Sequence, residues 1–143
     1  MPDPDVALND KRGYRANIEE LTLANTDFRR VLYTGEHTQV VLMTLKPGEE
    51  IGEEVHADKD QFFRFESGTG EVRINGRANP VEDGIAVIVP AGAKHNVVNT
   101  GDEPLTMYTV YGPPDHKDET VHVTKDQAER DHDNDEYDGK PTE

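Results

Sequence analysis

The sequence predicts an all-β domain, either a sandwich or a barrel. Short apolar or alternating segments recur along the chain, and Gly, Pro or Asn closes each of them, which is the pattern of strands joined by tight turns. No convincing helix interrupts these segments, and the 143 residues suffice for one domain with a single modest core. We therefore expect one all-β unit.

The strands are expected in a clear order along the chain. A short lead-in and an alternating segment occupy RANIEELTLANTDFRRVLYTG, and the strongest strand signal is HTQVVLMTLKPG, where KPG marks a turn. The further segments are QFFRFESG, GEVRING, GIAVIVPAG, HNVVNTG and LTMYTVYGPP. Phe63 and Phe65 are expected in the core. The core is also the preferred place for Met43, Tyr108 and Tyr111, with the lining of a pocket as the alternative.

Both ends of the chain are almost purely polar, whereas the apolar residues concentrate in between. Segments of such low apolar content cannot offset the entropy lost on ordering. We therefore expect a flexible N-terminus over 1–12, a barrel domain over 13–125 and an acidic, disordered tail over 126–143, with a brief helical turn at most after Asp126.

The composition excludes several classes of function. Thirty Asp and Glu against fifteen Lys and Arg give a formal net charge of -15, which repels nucleic acids and anionic membrane surfaces. There are no cysteines, so disulfides and thiolate metal sites are excluded. No segment is apolar enough to span a membrane or to act as a secretory signal, so we expect a cytoplasmic protein. The acidity suggests a halophilic source, with an acidic protein carrying an acidic tail as the alternative.

An acid and a histidine stand two residues apart in GEEIGEEVHADKDQ, which covers 48–61. This stretch reads as a strand, so Glu54 and His56 are expected on the same face of a sheet. Burying a carboxylate is costly unless the charge is paired or coordinated to a metal. The pair is therefore a candidate for a metal or ligand site.

Two longer patterns resemble the signatures of the cupin superfamily. GIAVIVPAGAKHNVVN carries Gly84, Pro90, Gly92, His95 and Asn99 at every fixed position of the second signature. The first signature, laid on the chain from Gly48 to Gly68, keeps all its spacings and falls on Glu54, His56 and Gln61. Most cupins have His, His and Glu at these three positions. The resemblance thus implies a site made of Glu54, His56, Gln61 and His95, with two altered residue types.

A rival alignment takes His56 as the first histidine and puts Asp58 in the second ligand position. It breaks the spacing back to Gly48 and leaves one residue too few before Gln61, so the alignment on Glu54 is preferred. Only the acidic ligand, Glu54 or Asp58, differs between the two.

The predicted set can bind a divalent metal. Two imidazoles with one carboxylate suit zinc, iron, manganese, nickel or cobalt. The amide of Gln61 is a weak ligand and can instead orient a ligand or a water. The alternative is a barrel without metal, in which His56 and His95 are satisfied interior polar groups.

The resemblance extends to PGEEIGEEVHADKDQFFRFESGTGEV, VPAGAKHNVVNTGDEPL and YTVYGPPDHKDETVH, and covers about 13–130. These segments are similar to small single-domain cupins that are often labelled mannose-6-phosphate isomerase-like. The resemblance implies a cupin double-stranded β-helix, that is, a jelly-roll barrel, with a small-molecule ligand inside it and a homodimer in solution. Lys94 and Arg64 are the only cations next to the site motifs. The sequence therefore shows no basic phosphate-binding surface of the kind that phosphomannose isomerases carry.

Three functions follow as hypotheses. The first is a metal-dependent enzyme with isomerase-type carbonyl or enediol chemistry on a small polar or sugar-like substrate. The second is a dioxygenase, against which the replacement of ligands by Glu54 and Gln61 counts. The third is a non-catalytic module that binds a small polar ligand or a sugar.

The other histidines carry less information. His116 and His122 follow the last strand and either fold back over the barrel mouth or stay exposed in a loop, the latter being the more common case. His37 and His132 are given no role.

Overall fold

A computed structural model describes residues 10–143, which form two antiparallel sheets and two short helices. The six-stranded sheet has the order β10 (Val121–His122), β1 (Arg29–Thr34), β2 (Gln39–Leu45), β9 (Leu105–Gly112), β4 (Asp60–Ser67) and β7 (Ala86–Val89). The four-stranded sheet has the order β3 (Glu54–Val55), β8 (Lys94–Asn99), β5 (Gly70–Ile74) and β6 (Arg77–Val81). The helices are α1 (Ile18–Ala24) and α2 (Lys125–Arg130). The predicted all-β fold is confirmed.

Both sheets contribute to one apolar core. Val41, Phe63 and Met107 come from the six-stranded sheet and Val72 and Val97 from the four-stranded one, and all five side chains are fully buried. The alternation of side chains along a strand explains this arrangement, because every second residue points inward. The core is therefore the space enclosed between the two sheets.

Strand β4 shows how the alternation also places a polar residue inside. Gln61, Phe63 and Phe65 are buried, whereas Phe62 and Arg64 between them are partly exposed. The expectation that Phe63 and Phe65 belong to the core is confirmed. Gln61 therefore faces the interior near one end of the same strand.

Three strands differ from the sequence prediction. Strands β6 and β10 were not expected, because RANPV has little apolar content and the second of them has only two residues. Pro80 is accommodated because β6 lies at the edge of its sheet, where the missing N–H leaves no partner unsatisfied. Strand β3 ends before His56, so the expected strand at the site is shorter than the sequence suggests.

The C-terminal segment 126–143 is not disordered, which corrects the sequence prediction. Thr124 caps α2 by accepting a hydrogen bond from the N–H of Gln127. Backbone hydrogen bonds then tie the segment to the barrel: Lys117 N–H donates to the Asp135 carbonyl at 2.7 Å, and Tyr137 N–H donates to the Asp115 carbonyl at 3.0 Å. Apart from Ala128, which is buried in the core, the segment is held by backbone pairing and ion pairs, so its composition gave no sign of its order.

The segment also reaches the start of the described chain. The Glu143 carboxylate accepts hydrogen bonds from the N–H groups of Arg12 and Gly13 and from the hydroxyl of Tyr33. Residues 1–9 of the predicted flexible N-terminus lie outside the described residues. Among residues 10–143 no helix is long and apolar enough to cross a membrane.

Candidate metal centre

The candidate site lies where the two sheets meet at one end of the barrel. Strand β3 pairs with β8 so that Glu54 is opposite His95, and residues paired in this way point to the same face of the sheet. Gln61 reaches the same place from β4 in the other sheet, since its side-chain oxygen contacts His95. The fold thus brings together residues that are up to 41 positions apart in the chain.

Glu54, His56 and His95 each offer one ligand atom within 4.8 Å of the others. Nε2 of His56 lies 2.8 Å from Oε2 of Glu54, yet this buried nitrogen has no partner in hydrogen-bond geometry among residues 10–143. A buried polar atom without a hydrogen bond costs free energy. A cation shared by the two atoms would satisfy both of them.

His95 and Gln61 present a similar arrangement. Nδ1 of His95 lies 3.1 Å from the carbonyl oxygen of Ala93, so this nitrogen carries the proton and Nε2 presents its lone pair. Nε2 faces Oε1 of Gln61 at 3.1 Å, while the amide of Gln61 donates to Thr109 Oγ1 at 3.0 Å. Two acceptors therefore face each other, which is the pattern expected around a bound cation.

The charges of the site favour an ionised acid. Burial would raise the pKa of Glu54, but the imidazole of His56, with Arg29 and His95 beyond it, outweighs burial and lowers this pKa below its usual value. Burial would likewise lower the pKa of His56, but Glu54 and Asp115 outweigh burial and raise it. Glu54 is therefore a carboxylate at neutral pH, in an environment that stabilises positive charge.

The donor set fits a divalent metal. It combines one carboxylate, two imidazoles and an amide oxygen, which are ligands for transition metals of the zinc or iron type. The rival acid, Asp58, has a side chain that is 77% exposed and pairs with Lys59 at 3.3 Å. The structure therefore groups the histidines with Glu54 and leaves Asp58 at the surface.

An open pocket of about 510 Å³ borders the site. Most of the side chains that line it are carboxylates and histidines. The full lining is Arg29, Glu53, Glu54, Val55, His56, Asp115, His116, His132, Asp133, Asp135 and Glu136. A smaller pocket of about 240 Å³ beside α2 shares Arg29, Glu54 and His132 with it. The C-terminal segment that was expected to be disordered therefore forms one wall of the pocket.

The cations around the pocket are paired with acids. Arg29 contacts Asp135 at 3.8 Å. Lys59 contacts Asp115 at 3.7 Å. Lys94 contacts Glu53 at 2.7 Å. The pocket wall is thus strongly acidic.

The histidines outside the signatures differ from the sequence prediction. His116 and His122, for which an exposed loop position was the more common case, are 6% and 1% exposed. Both bind acids of the C-terminal segment: His116 Nδ1 lies 3.1 Å from Asp135, and His122 Nε2 lies 2.9 Å from Asp131. His132, to which no role was given, lines the pocket, whereas His37 is exposed.

The sequence did not point to Arg29, Asp115 and Asp135 as parts of the site, and it offered His116 a place over the barrel mouth only as the less common case. These residues belong to no spacing pattern, and they meet only because β1 pairs with β10 and because His116 bridges to Glu136. The one available signal was a histidine directly after the last predicted strand. Met43 and Tyr111, which were expected either in the core or in the lining of a pocket, are buried in the core. The ring of Tyr111 also contacts the ring of His56 edge-on, with 5.7 Å between the ring centroids.

Comparisons with known proteins agree with the fold described above. Residues 41–111 match the family model described as Cupin domain. The protein YrkC of Bacillus subtilis is 44% identical over 88% of this chain and 72% of its own length. The protein L612 of Acanthamoeba polyphaga mimivirus is 37% identical over 84% of this chain and 78% of its own length. The crystal structure of BH2720 from Bacillus halodurans is 45% identical, covers 85% of this chain and 96% of that chain, and superposes with a TM-score of 0.81.

Proposed function

Given that this chain belongs to the cupin family, we propose that it is a metal-dependent enzyme that isomerises a small, polar, sugar-like substrate by carbonyl and enediol chemistry. The observation that carries the proposal is the meeting of ligand atoms from Glu54, His56 and His95 within 4.8 Å. The unsatisfied Nε2 of His56 beside the Glu54 carboxylate supports it further. In a metal-free barrel this nitrogen would face the Glu54 carboxylate at 2.8 Å outside hydrogen-bond geometry.

Glu54, His56 and His95 would hold a divalent transition metal, and Gln61 would complete the set through its amide oxygen. When bound, zinc, iron, manganese, nickel or cobalt supplies a Lewis acid that polarises a carbonyl group. The protein residues hold the substrate in the pocket, keep Glu54 ionised and exchange protons with the substrate. Proton exchange between neighbouring carbons of a polarised carbonyl compound is the core of an isomerase reaction.

The charge of the pocket supports an uncharged substrate. The wall carries Glu53, Asp115, Asp133, Asp135 and Glu136, and its cations are already paired. Away from the metal ligands, a phosphate or carboxylate group would meet acids, with no unpaired Lys or Arg among the described residues of the wall to bind it. The hydroxyl groups of an unphosphorylated sugar, by contrast, can donate hydrogen bonds to these acids.

Elemental analysis of the protein, purified without added metal or chelator, tests the metal site without reference to activity. We expect about one equivalent of a single transition metal per chain. Glu54→Gln and His95→Gln should lose it, because each removes one ligand of a small set. The matched control is Asp58→Asn, which neutralises the rival acid and should keep the metal.

The outcomes separate the hypotheses. Zinc together with turnover of a ketose or an aldose supports the proposal. Iron with oxygen uptake would instead favour a dioxygenase, and saturable sugar binding without turnover would favour a binding module. A protein that binds no metal when offered it contradicts the metal-dependent functions together.

A further inference from the structure

A buried histidine–aspartate pair borders the same pocket as the candidate metal ligands. Nδ1 of His116 lies 3.1 Å from Oδ2 of Asp135, and both residues are at least nine-tenths buried. A carboxylate at this distance accepts the Nδ1 proton, which fixes the tautomer and leaves the lone pair on Nε2. Both residues line the pocket together with Glu54 and His56.

The backbone of His116 is held in place by a fully buried amide. Oε1 of Gln39 accepts hydrogen bonds from the N–H groups of Asp115 and His116 at 3.1 and 3.0 Å. Its Nε2 donates to the carbonyl of His116 at 2.7 Å. The imidazole is thus fixed by Gln39 through its backbone and by Asp135 through its ring.

The second ring nitrogen of His116, Nε2, faces two groups that also lie near His56. Nε2 lies 3.4 Å from the hydroxyl of Tyr111 and 3.3 Å from Oδ2 of Asp115. The ring of Tyr111 packs between those of His116 and His56, with centroid distances of 5.4 and 5.7 Å. The Nε2 lone pair therefore accepts a long hydrogen bond from the Tyr111 hydroxyl on the side of the pocket nearer His56, and a substrate held near Glu54 and His56 would have to take the place of that hydroxyl.

We propose that His116, held by Asp135, is the general base that moves the proton in the isomerisation. This inference rests on the proposed function. In the step, the C–H bond beside the substrate carbonyl breaks, its electron pair forms the C=C bond, the carbonyl π pair moves onto oxygen to give an enediolate, and the carbon-bound proton binds Nε2. The hydroxyl proton then passes from its oxygen to the former carbonyl oxygen, and return of the first proton from Nε2 to the former carbonyl carbon gives the isomer, so the histidine ends as it began.

The electrostatic surroundings agree with a base that starts neutral. Burial lowers the pKa of His116 below its usual value. The facing charges act in both directions, since Arg29 opposes protonation whereas Asp135 and Asp115 favour it. The imidazolium that forms during the step is therefore stabilised by two acids without being the resting form.

The chain contains a second His–Asp pair that serves as a control. His122 Nε2 lies 2.9 Å from Asp131, and this pair also connects the barrel to the C-terminal segment. Neither residue lines either of the two pockets at the site. If both pairs only hold the C-terminal segment against the barrel, substitution of either histidine should have the same effect on activity. If His116 is catalytic, substitution of His116 should reduce activity far more than substitution of His122.

The first experiment observes the histidine directly by ¹⁵N NMR of the imidazole groups in the full-length, zinc-loaded protein. We expect the His116 ring to be neutral, with the proton on Nδ1 and the lone pair on Nε2, from about pH 6.5 to pH 8. A proton on Nε2, or an imidazolium across this range, would overturn the assignment whatever the substrate is.

The second experiment follows C–H exchange by ¹H NMR in D₂O with D-mannose, D-fructose and dihydroxyacetone as probes. We expect His116→Gln to lose exchange by about a hundredfold or more, with zinc content unchanged, and His122→Gln to stay within a few-fold of wild type. Asp135→Asn, a milder change at a positioning residue, should move the acid limb of the pH profile to lower pH because the imidazolium loses its counter-charge.

The results separate the two proposals. Exchange that survives in His116→Gln contradicts the base assignment alone. Equal losses in His116→Gln and His122→Gln, with equal losses of thermal stability, would show a docking role and also contradict it. If the zinc-loaded wild type exchanges none of the probes, the proposed function fails and the base assignment fails with it.

Discussion

At the scale of single residues, two of the candidate ligands differ in type from those that the cupin signature has at the same positions. Glu54 and Gln61 stand where most cupins have His and Glu, so the one carboxylate has moved from β4 to β3. Gln61 lies opposite the lone pair of His95, and its amide is oriented by Thr109. Substitution of Gln61 therefore tests how far an amide ligand limits the affinity of the site for metal.

Gln61→Glu should tighten metal binding and weaken the protein without metal. A carboxylate at this position adds a full negative charge toward the ion, so the zinc Kd should fall by about tenfold or more. Without metal the new acid is buried close to Glu54, and the melting temperature should drop by several degrees. Chelator competition and thermal melts with excess chelator measure the two effects. Unchanged zinc affinity would show that Gln61 does not face the metal.

The stability of the metal-free protein should fall on acidification. The pKa of His116 is lowered from 6.5 by burial, so the unfolded chain takes up this proton first and stability is lost as the pH falls below 6.5. For Asp135, burial raises the pKa but His116 and Arg29 outweigh it, and the net lowering from 3.8 means a further loss as the pH falls through the folded-state value. His56 has a raised pKa and acts oppositely, losing its contribution as the pH rises. Thermal melts from pH 8 to pH 3 with chelator test this, and His116→Gln should flatten the decline between pH 7 and pH 5.

The fold brings together the candidate ligands that the signatures predicted, whereas the sequence did not predict the residues that form the pocket wall. Spacing identified Glu54, His56 and His95 because a fixed number of residues along paired strands fixes which side chains face each other. Asp135 and Arg29 have no such relation in the sequence. They approach each other through strand pairing across most of the chain, which local patterns do not contain.

At the scale of elements, the prediction succeeded where apolar alternation was strong and failed where hydrogen bonds dominate. Strands β2, β4, β5, β8 and β9 coincide with the segments read from the sequence. Strand β6 and the C-terminal segment lack apolar alternation, so neither was expected. One element boundary at the site also differs from the prediction, since β3 ends at Val55, directly before His56.

The turn after β4 depends on a glycine for two separate reasons. Gly68 has a φ of +87°, and a Cβ there would lie 2.4 Å from the carbonyl oxygen of Pro104. Gly84 has a nearly equal φ of +89°, but a Cβ there would meet nothing within 4 Å. We expect Gly84→Ala to cost about 1–2 kcal/mol of unfolding free energy from backbone strain, and Gly68→Ala about 3–5 kcal/mol because the clash is with backbone. Urea denaturation measures both, and equal losses would show that the contact with Pro104 relaxes freely.

At the scale of the whole molecule, the net charge of -15 should make stability depend on salt. Like charges repel across the folded surface, and salt screens this repulsion. We expect the melting temperature to rise by about 10 °C between 0.05 and 0.5 M KCl. A continued rise above 1 M would support a halophilic source, whereas a plateau would indicate simple screening. A melting temperature independent of salt would contradict both.

The homodimer implied by the resemblance stays a prediction. Strand β7 is at the edge of the six-stranded sheet and exposes Ile88, whose exposed fraction is 65%. We expect a dimer in sedimentation velocity, and Ile88→Lys should weaken it if this edge is the interface. A monomer at all concentrations would contradict the prediction.

The pairing of β1 with β10 has a consequence for the order of events in folding. Arg29 contacts His122 across 93 positions of the chain, whereas Glu54, His56, Gln61 and His95 lie within a much shorter stretch. Contacts between distant residues form slowly, so refolding is expected to take milliseconds to seconds in stopped-flow measurements. The ligand residues can therefore gather before the outer strands close the sheet, and a partly folded chain could take up its metal before its pocket exists.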